Sequence, residues 1–193
     1  MGSSRVHPIP PSSTTEPPGV NSNASNAVVT SAAADNSIPH KIYVLLATAR
    51  VRIIAANGNS AILDSGSQVN LVSERLTRKL GASTSETSLR IDGIFNGQKR
   101  ATRRVNVKLS SRDASFTTDL EASIFPSIIP RQPNHSLDVS EWKIPNINLA
   151  NPYFNQPGKV DILLGAVYYF KLMQKGKIEL SNDLSKFLNT SLG

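Results

Sequence analysis

The chain has 193 residues, enough for one domain, and about 150 ordered residues would bury roughly two thirds of the surface an unfolded chain exposes. It contains no cysteine and three scattered histidines, which excludes a disulfide framework, a thiolate zinc site and a cysteine nucleophile, and argues against a histidine metal centre. The formal charge of +7 admits nucleic acid or an acidic partner, but the densest basic cluster, Lys99, Arg100, Arg103 and Arg104, has no interleaved aromatic residues for base stacking and reads as a solvated hairpin face.

Residues 1–40 mix Pro8, Pro10, Pro11, Pro17 and Pro18 with Ser, Thr, Asn and Ala and carry no sustained apolar period. Such a Ser/Thr/Pro-rich segment buries too little to offset its ordering entropy, so it is expected to be a disordered linker, with the folded domain spanning 41–193. The N-terminus has no apolar h-region, so no secretory signal is expected, and the longest apolar runs fall far short of the ~18 residues of a membrane span.

Ala49, Val51 and Ile53 alternate with Arg50 and Arg52, the period-two pattern of a half-buried strand. Asn57-Gly58 predicts a tight turn, since both residue types tolerate positive φ, and a second strand over 60–63 runs straight into Asp64-Ser65-Gly66. After that triplet Val69, Leu71 and Val72 continue an apolar path. Ser73 then caps a short helix over 74–80, with Glu74 in its first turn, Arg78 and Lys79 in its last, and Gly81 as a left-handed C-cap.

Residues 87–109 read as a hairpin, with Leu89 and Ile91 on one arm and Val105, Val107 and Leu109 on the other. Its tip, Asp92-Gly93-Ile94-Phe95-Asn96-Gly97, combines two glycines with two large apolar side chains that a solvent-facing tip does not normally carry. A strand is expected over 115–125. Prolines at 126, 130, 133, 145, 152 and 157 make 126–158 an irregular, Pro-rich insertion. Val160-Asp161-Ile162-Leu163-Leu164-Gly165 is a buried-strand run ended by glycine; 166–172 predicts a short helix and 177–180 a last strand.

Asp64-Ser65-Gly66 alone is a common triplet. Its position at the end of Ala61-Ile62-Leu63 is more telling, because an apolar strand delivers the carboxylate into a largely dry region, and Gly66 leaves backbone amides free to hold its oxygens. The order of parts resembles the retroviral aspartic peptidases: a hairpin, Ile62-Leu63-Asp64-Ser65-Gly66, a glycine hairpin and Ile162-Leu163-Leu164-Gly165. More narrowly, the chain is similar to the peptidase domain of Pao/BEL-type retrotransposon polyproteins. That similarity lies in Leu63-Asp64-Ser65-Gly66-Ser67-Gln68, in Leu149-Ala150-Asn151-Pro152 with Phe154-Asn155-Gln156-Pro157-Gly158, and in Val160-Asp161-Ile162-Leu163-Leu164-Gly165-Ala166. Val167 departs from the Asp usual there.

The resemblance implies a mostly β, retropepsin-like acid-protease fold: a closed β half-barrel with a flap hairpin and short helices, active as a symmetric homodimer. It implies an aspartic endopeptidase acting on an extended peptide or on its own polyprotein, in the cytoplasm or within virus-like particles. Asp64 would be catalytic, Ser65 and Gly66 would support the active-site loop, and Ser65 would lock the two loops together across the interface. Gly93, Ile94, Phe95 and Gly97 would form the flap over the substrate, with Leu164 and Gly165 structural beside the site. No metal, cofactor or membrane is implied, and nucleic acid is not an expected partner. Because the chain has one Asp-Ser/Thr-Gly, the second carboxylate would come from Asp64 of another copy. Like charges at ~3 Å cannot both ionise cheaply, so the pair would hold one proton and one water.

Two other readings use the same residues. A catalytically silent binding or assembly module would keep the fold without the chemistry. Ser65 as an acylating nucleophile lacks a nearby histidine and a Gly-x-Ser-x-Gly elbow. Asp92, Asp119 and Asp161 read as solvated or hydrogen-bonded side chains, Tyr168, Tyr169 and Phe170 as core or interface packing, and Trp142 as an anchor for the Pro-rich stretch.

Overall fold

The computed structural model describes residues 45–53, 56–92, 98–180, 184 and 186–193. The expected linker at 1–40 and the hairpin tip at 93–97 lie outside these residues. What is described is mostly β with two short helices.

In chain order the elements are β1 Thr48–Ile53, β2 Ala56–Leu63, β3 Leu71–Ser73, α1 Glu74–Leu80, β4 Thr84–Asp92, β5 Gln98–Ser110, β6 Thr117–Phe125, β7 Ile162–Leu164, α2 Ala166–Leu172, β8 Met173–Ile178 and β9 Phe187–Thr190. The main sheet runs β1-β2-β7-β3-β6-β5-β4, and a further pairing of Arg52 and Ile53 with Ser110 and Leu109 joins β1 to β5. The sheet therefore closes on itself, with β4 outside the ring. Within the ring each strand has two neighbours, so among the described residues β4 is left as the edge strand of this sheet, the kind of edge that can pair with another chain.

The core follows from side-chain alternation. Ala49, Val51 and Ile53 point inward from β1, Ala101, Val105 and Leu109 from β5, and Leu120 and Ala122 from β6. β2 and β7 differ because both faces are covered. Ala61, Leu63, Ile162 and Leu164 join the main core, while Ile62 and Leu163 join Val160 in a second cluster roofed by Leu71, Ile128 and Ile129. Burial on both faces explains why the paired stretches 61–63 and 162–164 are unbroken apolar runs.

The helix α1 has the ends its sequence predicts. The Ser73 Oγ accepts the Leu76 N–H at 3.1 Å, and Gly81 closes the helix at φ 58°, its N–H donating to the Arg78 carbonyl. Ser73 also serves a tertiary contact, since its hydroxyl donates to Asp161 Oδ1 at 2.6 Å and its N–H donates to the Asp161 carbonyl. Arg75 pairs with the other Asp161 oxygen, so the buried carboxylate ties α1 to the start of β7. Ser73→Ala removes a cap and one of these partners together. It is expected to lower stability by about 2 kcal/mol in urea unfolding, with the slope of the transition unchanged.

Two expectations are corrected. The first hairpin does not turn at Asn57-Gly58, because β2 already begins at Ala56 and Ile53 pairs with Ala56. Burying Val51 and Ile53 in register with β2 sets that pairing and outweighs the local turn preference. The strand expected over 177–180 begins and ends earlier and is not the last: β8 spans Met173–Ile178 and pairs with β9, Phe187–Thr190. Its mostly exposed residues, interrupted by Gly176 at φ 116°, leave no alternation to read.

From Pro126 to Lys159 the described backbone forms no strand or helix beyond one bridge, Gln132 to Gly158. The stretch is nonetheless tied down. The Arg50 N–H donates to the Ala150 carbonyl at 2.8 Å, and Asn151 Nδ2 to Thr48 Oγ1 at 2.9 Å, fastening it along β1. Trp142 packs against Phe154, and Phe154 meets Phe187 of β9 edge-on at 5.5 Å. The turn between β5 and β6 is closed by Asp113, whose carboxyl is held at about 2 by hydrogen bonds from the Ser111 hydroxyl and from the Ser115 amide and hydroxyl. A depressed carboxyl contributes its stability above its ordinary value and loses it as pH falls toward 2, so this turn holds in mildly acidic solution. Among the described residues, no helix is long and apolar enough to cross a membrane.

Candidate active site

The site is built where β2 ends. β2 and β7 run parallel with Ala61, Ile62 and Leu63 beside Ile162, Leu163 and Leu164, so Asp64 and Gly165 emerge side by side at the same end of the sheet. From Asp64 the chain crosses the end of β7 and returns as β3, which runs antiparallel to β7 on its other side. A loop from 64 to 70 thus straddles the last residue of a fully buried strand.

Hydrogen bonds hold the loop to what it crosses. The Asp64 N–H donates to the Leu164 carbonyl at 2.9 Å, and the Ala166 N–H donates to the Ser67 carbonyl at 2.7 Å. Between these, the Gly165 N–H donates to Asn70 Oδ1 at 2.9 Å. Within the loop, Ser67 donates its hydroxyl to the Val69 carbonyl at 3.0 Å. Gly165 is glycine for a steric reason, since a Cβ there would lie 2.5 Å from the Val69 carbonyl oxygen and 2.7 Å from that of Ser67. Both obstacles are backbone.

The Asp64 carboxylate is half-buried, and its Oδ1 accepts the Gly66 N–H at 2.9 Å. An amide donor of this kind favours a defined carboxylate orientation and leaves the other oxygen for a water or a substrate. Ser65 and Gly66 are exposed beside it, whereas Leu164 and Gly165 are buried beneath. The sequence-predicted residues Asp64, Ser65, Gly66, Leu164 and Gly165 therefore meet at one end of the sheet. Gly93, Ile94, Phe95 and Gly97 lie outside the described residues. The arms leading to them, β4 and β5, pair from Thr84 with Val105 out to Asp92 with Gln98, and Thr87, Leu89 and Ile91 form a half-buried row along β4.

Two other aspartates singled out in the sequence have structural partners. Asp161 is buried between Ser73 and Arg75, and Asp119 is exposed and pairs with Lys108 at 3.2 Å. In the basic cluster, Arg103 pairs with Glu74 and Arg104 with Glu121. Tyr168 and Tyr169 pack on the core, whereas Val167 and Phe170 stand exposed on α2. No group of three or more His, Asp or Glu side chains able to hold a metal forms among the described residues. Asn70 has no motif to announce it, and its spacing six residues after Asp64 is the one signal that could have drawn attention to it.

A cavity of about 490 Å³ lies elsewhere, between the start of β1, the Pro-rich stretch and the β8–β9 pair. Leu46, Trp142, Ile147, Phe154, Phe187 and Leu188 give it an apolar lining that reaches Leu63 but not Asp64.

No protein-family model matches the chain, and no curated protein matches its sequence. Among solved structures it is similar to the crystal structure of the retroviral protease-like domain of Ddi1 from Leishmania major, with 11% sequence identity, 77% of this chain and 95% of that chain covered, and a TM-score of 0.40.

Proposed function

We propose that the chain is one subunit of a retropepsin-like aspartic endopeptidase in which Asp64 from each of two copies activates a single water. The observation that carries this reading is the Asp64 loop: a carboxylate at the exit of a strand buried on both faces, oriented by a Gly66 amide and left open on its outer side. One carboxyl of the pair protonates the substrate carbonyl while the other takes a proton from the water, which adds to the carbonyl carbon. The tetrahedral adduct then collapses, the C–N bond breaks and the amine leaves with a proton from the dyad. In this reading Ser65, exposed beside Asp64, would meet its copy across the two-fold axis, and the half-buried row on β4 would lead into a flap that closes over substrate.

The substrate is an extended, largely apolar peptide, in the first instance the polyprotein of a Pao/BEL-type retrotransposon, as the segments around Asp64, 149–158 and 160–166 suggest. The test is cleavage of a peptide library by the purified chain at pH 5 and pH 7. Turnover that rises faster than protein concentration and is blocked by statine inhibitors is expected, and absence of turnover at either pH in a chain shown to be dimeric overturns the reading.

A second reading, a catalytically silent module on the same frame, draws on the apolar cavity that Asp64 does not line. It predicts saturable binding of an apolar peptide that Asp64→Asn leaves unchanged and Phe154→Ala weakens.

A further inference from the structure

We propose that Asn70 is a positioning residue for Asp64, an inference that rests on the peptidase reading. The loop from 64 to 70 is held to residues 164–166 by three hydrogen bonds in succession. Two are backbone to backbone, Asp64 N–H to the Leu164 carbonyl and Ala166 N–H to the Ser67 carbonyl. The middle one is made by a side chain: the buried Gly165 N–H reaches Asn70 Oδ1 at 2.9 Å.

The same amide works in the other direction. Asn70 Nδ2 donates to the Glu121 carbonyl at 3.1 Å, and the Asn70 carbonyl accepts the Ser123 N–H at 2.9 Å. Asn70 therefore joins β6 to the end of β7 at the point where the loop turns into β3. A side chain here needs an acceptor for Gly165 and a donor for Glu121 on two separate atoms at this reach, which a carboxamide supplies; a hydroxyl offers both functions from a single, shorter-reaching oxygen, and a methyl offers neither. Gly165 is pressed under the Ser67 and Val69 carbonyls, so any drift of β7 moves the Asp64 loop with it. Asn70 itself sits six residues past the carboxylate, on the far side of the loop.

The consequence is a kinetic signature. Misplacing a reacting group by a fraction of an ångström slows the chemical step while leaving substrate contacts in place, so Asn70→Ala is expected to lower kcat on the order of tenfold to a hundredfold. KM should stay within about twofold. Amide hydrogen exchange at Gly165 should accelerate at least about tenfold, with Leu109 and Leu120 in β5 and β6 unchanged. Asn70→Asp keeps an oxygen opposite Gly165 but turns the bond to Glu121 into a repulsive contact between two oxygens, so it should restore Gly165 protection while recovering kcat only in part.

The experiment compares wild type, Asn70→Ala and Asn70→Asp in peptide turnover and in residue-resolved hydrogen exchange on the full chain. An active wild type whose Asn70→Ala variant suffers in KM as much as in kcat, or keeps Gly165 protected, overturns the role of Asn70 alone. Equal losses in the Ala and Asp variants, with exchange accelerated throughout the sheet, also overturn it by showing a merely structural part. A wild type that cleaves nothing overturns the peptidase reading, and this role with it.

Discussion

Asp64→Asn is expected to lower peptide turnover by about 10³-fold or more while leaving the chain folded. Asparagine has the shape of aspartate and still offers an oxygen to the Gly66 N–H, which now donates to Asp64 Oδ1 at 2.9 Å. The hydrogen bond that orients the group survives, and Asp64 is half-buried with no ion pair among the described residues, so stability should change by less than about 0.5 kcal/mol. What is lost is the ability to take and return a proton. A carboxamide can do neither at ordinary pH, and in a two-fold dimer both members of the dyad are removed at once. Thermal unfolding of the variant beside its peptide turnover separates the two effects. A variant that unfolds early would mean that Asp64 is structural, and one that cleaves like wild type would remove Asp64 from the chemistry.

The second large effect is steric. Gly165→Ala would place a methyl 2.5 Å and 2.7 Å from two carbonyl oxygens of the Asp64 loop, and neither can swing aside as a side-chain tip could. Either the loop lifts off β7, breaking the bonds of Asp64 to Leu164 and of Ala166 to Ser67, or β7 shifts within the core. Overpacking of this kind costs about 3 kcal/mol, which in a domain of this size lowers the unfolding midpoint on the order of 10 °C. Turnover should be lost as well, because the loop that carries Asp64 is the part displaced. Gly81→Ala is the natural control: it strains a left-handed C-cap at φ 58° but meets nothing within 4 Å. It should cost only about 1 kcal/mol and leave turnover intact.

The parts of this molecule that were legible in the sequence are those whose cause is local. The helix α1 could be read end to end because its cap at Ser73, its charges and its terminator Gly81 all lie within nine residues. The end of β2, 61–63, and β7 could be read as buried because strand segments covered on both faces need apolar residues throughout. Their partnership was another matter. Ala61 lies beside Ile162, and no periodicity in either segment says that β7 slots between β2 and β3. The same distance hid Asn70, whose two partners, Gly165 and Glu121, are remote in sequence. Asp161 was legible only as a hydrogen-bonded side chain; that it joins α1 to β7 through Ser73 and Arg75 depends on the tertiary arrangement. The strands β8 and β9 failed for a different reason, since a largely exposed pair with a glycine at φ 116° needs no pattern of apolar residues to form.

The central claim is that two copies of Asp64 form one site, and a mixing experiment addresses it directly. Wild-type chain is held at a fixed concentration well above that needed for pairing, and the Asp64→Asn variant is added in increasing amounts with time for subunits to exchange. If each site needs two intact carboxylates, random pairing leaves turnover at about half its starting value with an equal amount of variant and drives it lower as more is added. Turnover that stays constant across the titration, from chains shown to exchange, would contradict a shared site.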